Sequence, residues 1–283
     1  MLLHAFLKYC TNIPTYRPSV YPASLEPRCE AMRPPLRIAI LECDTPLPDA
    51  DSRYNGYGGV FTALLKSSAK TLNQSDRFDS EIDLQISRWD IMNGIEYPKL
   101  EDVDAVLLSG SRYNSYEDVP WINRLVEFTQ SVLAQDRVRL LGICFGHQIV
   151  ARALGTKVCP SDQGWEIAVC DVDLTPEGKE LFGRNKLRIQ QVHQDIVYEC
   201  PPGVTLLGSS PRCAVQGMYS RRRFITVQGH PEFNEEIEDE IIKHLTEEGV
   251  LSETQAQEAL SRVGNEYDGV FIGATFLKFL TED

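Results

Sequence analysis

Between residues 36 and 155 the chain alternates short apolar runs with longer amphipathic segments. No other feature of its 283 residues constrains the fold as much. LRIAIL (36–41), DAVLLSG (104–110) and VRLLGI (138–143) are too short for helices and carry β-branched residues, so they read as buried strands. LQISRWD (84–90) alternates apolar and polar residues like a strand. GGVFTALLKSSAKTL (58–72) places Val60, Leu64, Leu65 and Leu72 on one helical face. PWINRLVEFTQSVLAQ (120–135) opens on a proline, at a position where a helix does not need the missing N–H. Residues 146–155 form a further helix closed by Gly155, and the Pro-, Asp- and Gly-rich stretch from 42 through Gly59 reads as a loop. Strands that alternate with helices pack by right-handed crossovers into a mostly parallel sheet with helices on both faces. The expected class is therefore α/β.

The pattern changes between 165 and 228. WEIAVCDVDLT, KLRIQQV, VTLLGSS, CAVQGMYS and RFITVQG are successive strand-like runs without helices between them. They predict an antiparallel strand extension added to the main sheet. The last fifty residues read as helices. Asn234 caps a helix that opens with Glu235 and Glu236, Ser252 and Gln255 have capping-box spacing, and 268–280 is apolar enough to dock on the body. Residues 1–35 hold six prolines and read as a disordered N-terminal extension, with Met32 an alternative start; 36–283 read as one folded domain.

Charge and cysteine usage remove several function classes. The net charge is −13, and residues 231–283 carry fourteen acidic side chains against three basic ones. Such a surface repels a phosphate backbone, so no nucleic-acid partner is expected, and the acidic helices read as a solvated face. No apolar run is long enough to span a membrane, and no membrane role is expected. None of the eight cysteines forms a C-x-x-C pair or a zinc-spaced Cys/His cluster. Reduced thiols, a cytoplasmic protein, no metal and no cofactor are the expectation.

One cysteine stands apart. In GICFG (142–146) the small flanking residues let the chain turn sharply from strand to helix, which lifts Cys144 clear of the strand ends. A helix N-terminus favours a thiolate there, and the N–H of Phe145 can point at a developing oxyanion. A buried structural cysteine at a tight turn accounts for the pentapeptide equally well on its own. A thiol nucleophile needs a base, and the chain has five histidines. His4 lies in the extension, His244 falls on the helix read as solvent-facing, and His147 points along another face of its helix. His230, in QGHPEF, follows a strand and precedes a helix, and Glu232 two residues on can orient its ring.

GICFGHQ and QGHPE together resemble the signature segments of class I glutamine amidotransferases. The resemblance covers residues 36–245 and includes LLSGS (107–111) and HQD (193–195). YGGVF (57–61), GSRYNSYEDVPWI (110–122) and GHPEFNEEI are similar to the stand-alone fungal amidotransferase-like and plant γ-glutamyl peptidase subgroup. The resemblance implies a flavodoxin-like fold. It implies Cys144 as nucleophile, His230 as general base and acid, Glu232 as orienting carboxylate, and Gly110 and Phe145 as oxyanion donors. It also implies Ser111, Gln148, His193 and Asp195 as substrate-binding residues. Val192 departs from the serine that precedes the histidine in many ammonia-supplying members, which bears on recognition of free glutamine. Three activities stay open: a stand-alone γ-glutamyl hydrolase or peptidase acting on glutamine, glutathione or a conjugate; a glutaminase subunit that passes ammonia to a partner synthetase; and a non-catalytic binding relative. The chain has no P-loop and no dinucleotide-binding fingerprint that would supply an ammonia acceptor in cis.

Overall fold

The computed structural model describes residues 35–74 and 83–282. The readings made for the N-terminal extension and Met32 fall outside them. The elements, in chain order, are β1 (Leu36–Glu42), α1 (Pro48–Tyr54), α2 (Tyr57–Asn73), β2 (Leu84–Asp90), β3 (Ala105–Leu108), α3 (Pro120–Leu133), β4 (Arg139–Ile143), α4 (Phe145–Ala153), β5 (Val158–Pro160), β6 (Glu166–Leu174), α5 (Pro176–Phe182), β7 (Lys186–His193), β8 (Asp195–Val197), β9 (Thr205–Ser209), β10 (Gly217–Ser220), β11 (Phe224–Val227), α6 (Glu235–Glu247), α7 (Glu253–Leu260) and α8 (Gly269–Thr281).

Nine strands form one sheet in the order β2-β1-β3-β4-β11-β10-β9-β6-β7. The first five run parallel and the remaining four pair antiparallel. The fold is α/β with a mostly parallel central sheet and flanking helices. Alternation within each strand distributes side chains between two cores. Leu36, Ile38 and Ile40 of β1 and Leu141 and Ile143 of β4 face α2 and α8. Ala39, Leu41 and Leu140 face α3 and α4. Arg139, buried at the start of β4, donates to the carbonyls of Phe279 and Glu282 and so ties the C-terminal end of α8 to the sheet.

Three readings change. RFITVQG is not part of the antiparallel extension: β11 lies parallel to β4, pairing Val227 with Ile143. A run of successive strands does not reveal which one returns to the middle of the sheet. The stretch read as a loop before Gly59 contains α1, which starts at Pro48. The extension also contains α5, capped by Thr175 with proline at its first position; that start signal is present in TPEGKELF. β5 and β8 pair as a separate two-stranded sheet. The caps at Asn234 and at Ser252 with Gln255 are both formed.

Among the described residues no helix is long and apolar enough to cross a membrane.

Candidate active site

The sheet order reverses at β1, so the loops at the carboxyl ends of β1 and β3 splay apart there and leave a crevice. The register of β4 against β11 places the next residues of both strands side by side, and the Cys144 N–H donates to the Val227 carbonyl at 3.0 Å. Cys144 takes φ 49° and ψ −104°, a backbone conformation that residues with side chains rarely adopt, immediately before α4. The two glycines of GICFG are required by close packing. A Cβ on Gly146 would lie 2.4 Å from the Leu108 carbonyl oxygen, and one on Gly142 would lie 3.0 Å from the Gly146 backbone. The small residues therefore bring α4 down onto β3 and β4 while the cysteine takes the strained turn.

His230 and Glu232 sit on the turn after β11. His230 Nδ1 lies 2.8 Å from Glu232 Oε1, and both side chains are buried. The ring stacks on Phe233 at 4.1 Å and 5°, which fixes its plane. Its backbone N–H donates to the Gln190 carbonyl at 2.7 Å. Apart from its interaction with Cys144, Nε2 has no hydrogen-bond partner among the described residues. Burial opposes the charged ring, but the charges of Glu232 and Cys144 and hydrogen bonds to both outweigh it, holding His230 well above the ordinary imidazole range. His147 is the opposite case. It is fully buried with Nδ1 2.8 Å from Thr226 Oγ1, and burial, reinforced by His193, lowers it to about 3. A ring that stays neutral and faces the core is not placed to serve Cys144.

The other expected residues converge on the same crevice. Gly110 follows β3, and a Cβ there would lie 2.6 Å from His230 Cε1, so the ring needs a glycine. Ser109 steadies this loop by accepting the Cys43 N–H at 2.8 Å, and Asp44 accepts the Arg112 N–H at 2.7 Å. Phe145 opens α4 and stacks on Trp121 at 5.6 Å. Ser111, Gln148, His193 and Asp195 line a cavity of about 280 Å³ that also contains Cys144 and His230. His193 Nδ1 is 3.2 Å from the Asp195 carbonyl and its Nε2 is 3.1 Å from Glu166 Oε2. Burial raises Glu166, but the hydrogen bond and charge of His193, with a further hydrogen bond from Ser210, leave it below the usual carboxylate range. Asp195 is instead raised to about 6 by burial and by Glu117.

Several lining residues were not assigned from sequence. Glu166 faces His193 only through the β6–β7 register. Gln228 lies within QGHPE but carried no expected role. α6, read as a solvated face, turns Ile241, His244 and Leu245 into the cavity, joined by Glu248 at its C-terminal end. His244 is therefore a wall residue, half in solvent, rather than a distant surface histidine. Val192 packs against two buried clusters, one that includes Ile167, Ala168 and Ile242 and one that includes Phe233 and Ile237, and it lines the cavity with Trp165, Ile241 and Leu245. Its apolar side chain thus belongs to an apolar wall.

The fold and the sequence both have known counterparts. A profile of the family described as "Glutamine amidotransferase class-I" matches residues 65–246. A glutamine amidotransferase-like protein of Schizosaccharomyces pombe is 37% identical, covering 87% of this chain and 98% of that protein. Gamma-glutamyl peptidase 4 of Arabidopsis thaliana is 32% identical over 81% of this chain and 90% of its own. Among solved structures, a glutamine amidotransferase of Thermotoga maritima superposes with a TM-score of 0.65 at 18% identity, covering 87% of this chain and 99% of that one. The chain belongs to the class I glutamine amidotransferase family, and its relatives include the stand-alone fungal and plant proteins of that family.

Proposed function

We propose that the protein is a cysteine hydrolase of γ-glutamyl amides, acting as a stand-alone γ-glutamyl peptidase. The observation that carries this reading is the space beside Cys144. The cavity that holds the sulfur is walled by Tyr57, Trp165, Val192, Ile241 and Leu245. Leu47 and His244 line both this cavity and a second cleft of about 530 Å³ between α1 and α6. Ammonia, the leaving group from glutamine, needs none of that room. An amino acid, dipeptide or conjugate does. The names of the Arabidopsis relatives support the same reading.

In this mechanism the Cys144 sulfur attacks the γ-carbonyl, and the N–H groups of Gly110 and Phe145 meet the tetrahedral oxyanion. Each such donor lowers the barrier by roughly 3 kcal/mol in comparable acyl-transfer sites. His230 gives a proton to the departing nitrogen as the C–N bond breaks, and a γ-glutamyl thioester remains on Cys144. Water then gives a proton to His230 and attacks the thioester; the C–S bond breaks and the sulfur recovers its electron pair. Glu232 orients the ring and stabilises its cationic form. Ser111, Gln148, His193 and Asp195 hold the glutamyl group.

The test measures glutamate released from glutamine, glutathione and a glutathione S-conjugate by purified protein. The expected result is faster release from the two larger substrates than from glutamine, and none from Cys144→Ala. Rapid glutamine turnover appearing only when a synthetase is added would assign the protein as an ammonia-supplying subunit instead. No release from any substrate, with Cys144 reduced, would make it a binding relative.

A further inference from the structure

The sulfur of Cys144 is contacted by a side chain that the triad does not include. Gln228 Nε2 lies 3.5 Å from Cys144 Sγ, and Gln228 is fully buried. An amide presents a donor or an acceptor depending on which way it is turned, so its orientation must be derived from its partners. Here a backbone group decides it. The Asp195 carbonyl can only accept, and Gln148 lies 2.9 Å from it, so Gln148 must turn its NH2 that way. The same NH2 lies 3.2 Å from Gln228, so Gln228 must answer with its oxygen. Its own NH2 is then directed at the sulfur. The opposite orientation would set two NH2 groups against each other in a buried site and leave both underbonded, at a cost of about 1–3 kcal/mol each. The Asp195 carbonyl is itself contacted by His193 Nδ1, whose ring Glu166 steadies. A chain of contacts thus runs from β6 to the nucleophile.

We propose that Gln228 is a further catalytic residue: its side-chain N–H donates to the Cys144 sulfur, holding the lone pairs in register for attack and meeting the negative charge on sulfur when the thioester C–S bond breaks. The Asp195 carbonyl and Gln148 act as positioning groups that set the polarity of this amide. HQD therefore has a role besides lining the cavity: its backbone determines which end of Gln228 the nucleophile meets.

The test follows the sulfur directly and needs no substrate. Alkylation of Cys144 by iodoacetamide at pH 7 is measured in wild type, Gln228→Met and Gln228→Glu, with Cys144→Ala subtracted to remove the other thiols. Both replacements are close in size to glutamine, and rates refer to the fraction with wild-type circular dichroism, so one folded variant suffices. Loss of a hydrogen bond to a charged group predicts alkylation about tenfold slower or more. Gln148→Met should slow it less, because Gln228 is then free to turn. The double variant Gln148→Met, Gln228→Met should be no slower than Gln228→Met alone, since both act through one contact. A purely structural role would lower the melting temperature and leave the alkylation rate of the folded fraction unchanged. Rates within twofold of wild type in the folded Gln228 variants overturn the proposal. The catalytic role rests on the proposed function: wild-type protein that alkylates rapidly but releases no glutamate would overturn that function and the catalytic role with it, while slower alkylation of the Gln228 variants would still establish the hydrogen bond to sulfur.

Discussion

Glu238 offers the most quantitative test of the architecture behind the site. It lies on α6 with its side chain fully buried. Oε1 accepts the Ala168 N–H at 3.1 Å, where β6 takes a left-handed φ of 60°, and Oε2 has no hydrogen-bond partner among the described residues. Burial, together with the negative charge of Glu232, raises its pKa from 4.5 to about 7, although His230, the Ala168 N–H and Arg262 pull the other way. The sign follows from proton counting. A carboxyl raised in the folded state keeps its proton where the unfolded chain has lost it. Its contribution is fully present below pH 4.5 and is lost as pH rises through about 7. Each pH unit of displacement is worth about 1.4 kcal/mol, so the loss across this window is about 3 kcal/mol. A glutamine in its place cannot ionise, and the amide oxygen can still accept the Ala168 N–H. The variant Glu238→Gln should therefore gain on wild type as pH rises from 5 to 8. At about 2 °C per kcal/mol for a chain of this size, the difference in melting temperature should widen by about 6 °C. Thermal unfolding of both proteins at four pH values measures it, and the shifts of Glu166 and Asp195 cancel because both proteins share them. Parallel melting curves, or a wild type that gains on the variant with rising pH, would show that the carboxyl is not kept protonated by burial.

Three further expectations concern the elbow and the ring. Cys144→Gly should be more stable than Cys144→Ala by about 1 kcal/mol, because glycine tolerates φ 49°, and neither should turn over substrate; equal melting temperatures would remove the strain argument. Gly110→Ala should displace the His230 ring, since its new Cβ would sit 2.6 Å from Cε1, and should lower kcat/KM by about a hundredfold or more with little change in circular dichroism. Retained activity there would separate the ring from the reaction. Glu232→Gln should lower the His230 pKa by removing a partner charge that raises it, read as a downfield-to-upfield imidazole transition at lower pH by NMR; an unmoved titration would refute the pairing.

Much of this molecule was legible in the sequence because local physics sets local structure. LQISRWD alternates and forms β2 over those same residues, while the proline at 120 and the apolar spacing behind it mark α3. The elbow was readable because a cysteine between two small residues at a strand–helix junction has few conformations open to it. The helix signal at Thr175-Pro176 is present in the sequence but is flanked on both sides by strand-like runs that mask it. What the residues could not disclose depends on register and return paths. Only the pairing of β11 with β4 brings His230 beside the strand end that carries Cys144, and only the β6–β7 register sets Glu166 against His193. The composition of α6 describes an acidic surface, yet its docking angle turns Ile241 and Leu245 toward the sulfur. The polarity of Gln228, just past β11, is decided by the backbone carbonyl of Asp195 at the start of β8. Periodicity and turn chemistry act over a few residues and can be read from the order of the chain. Contacts between distant segments exist only once the sheet has closed, and they determine what the crevice is able to hold.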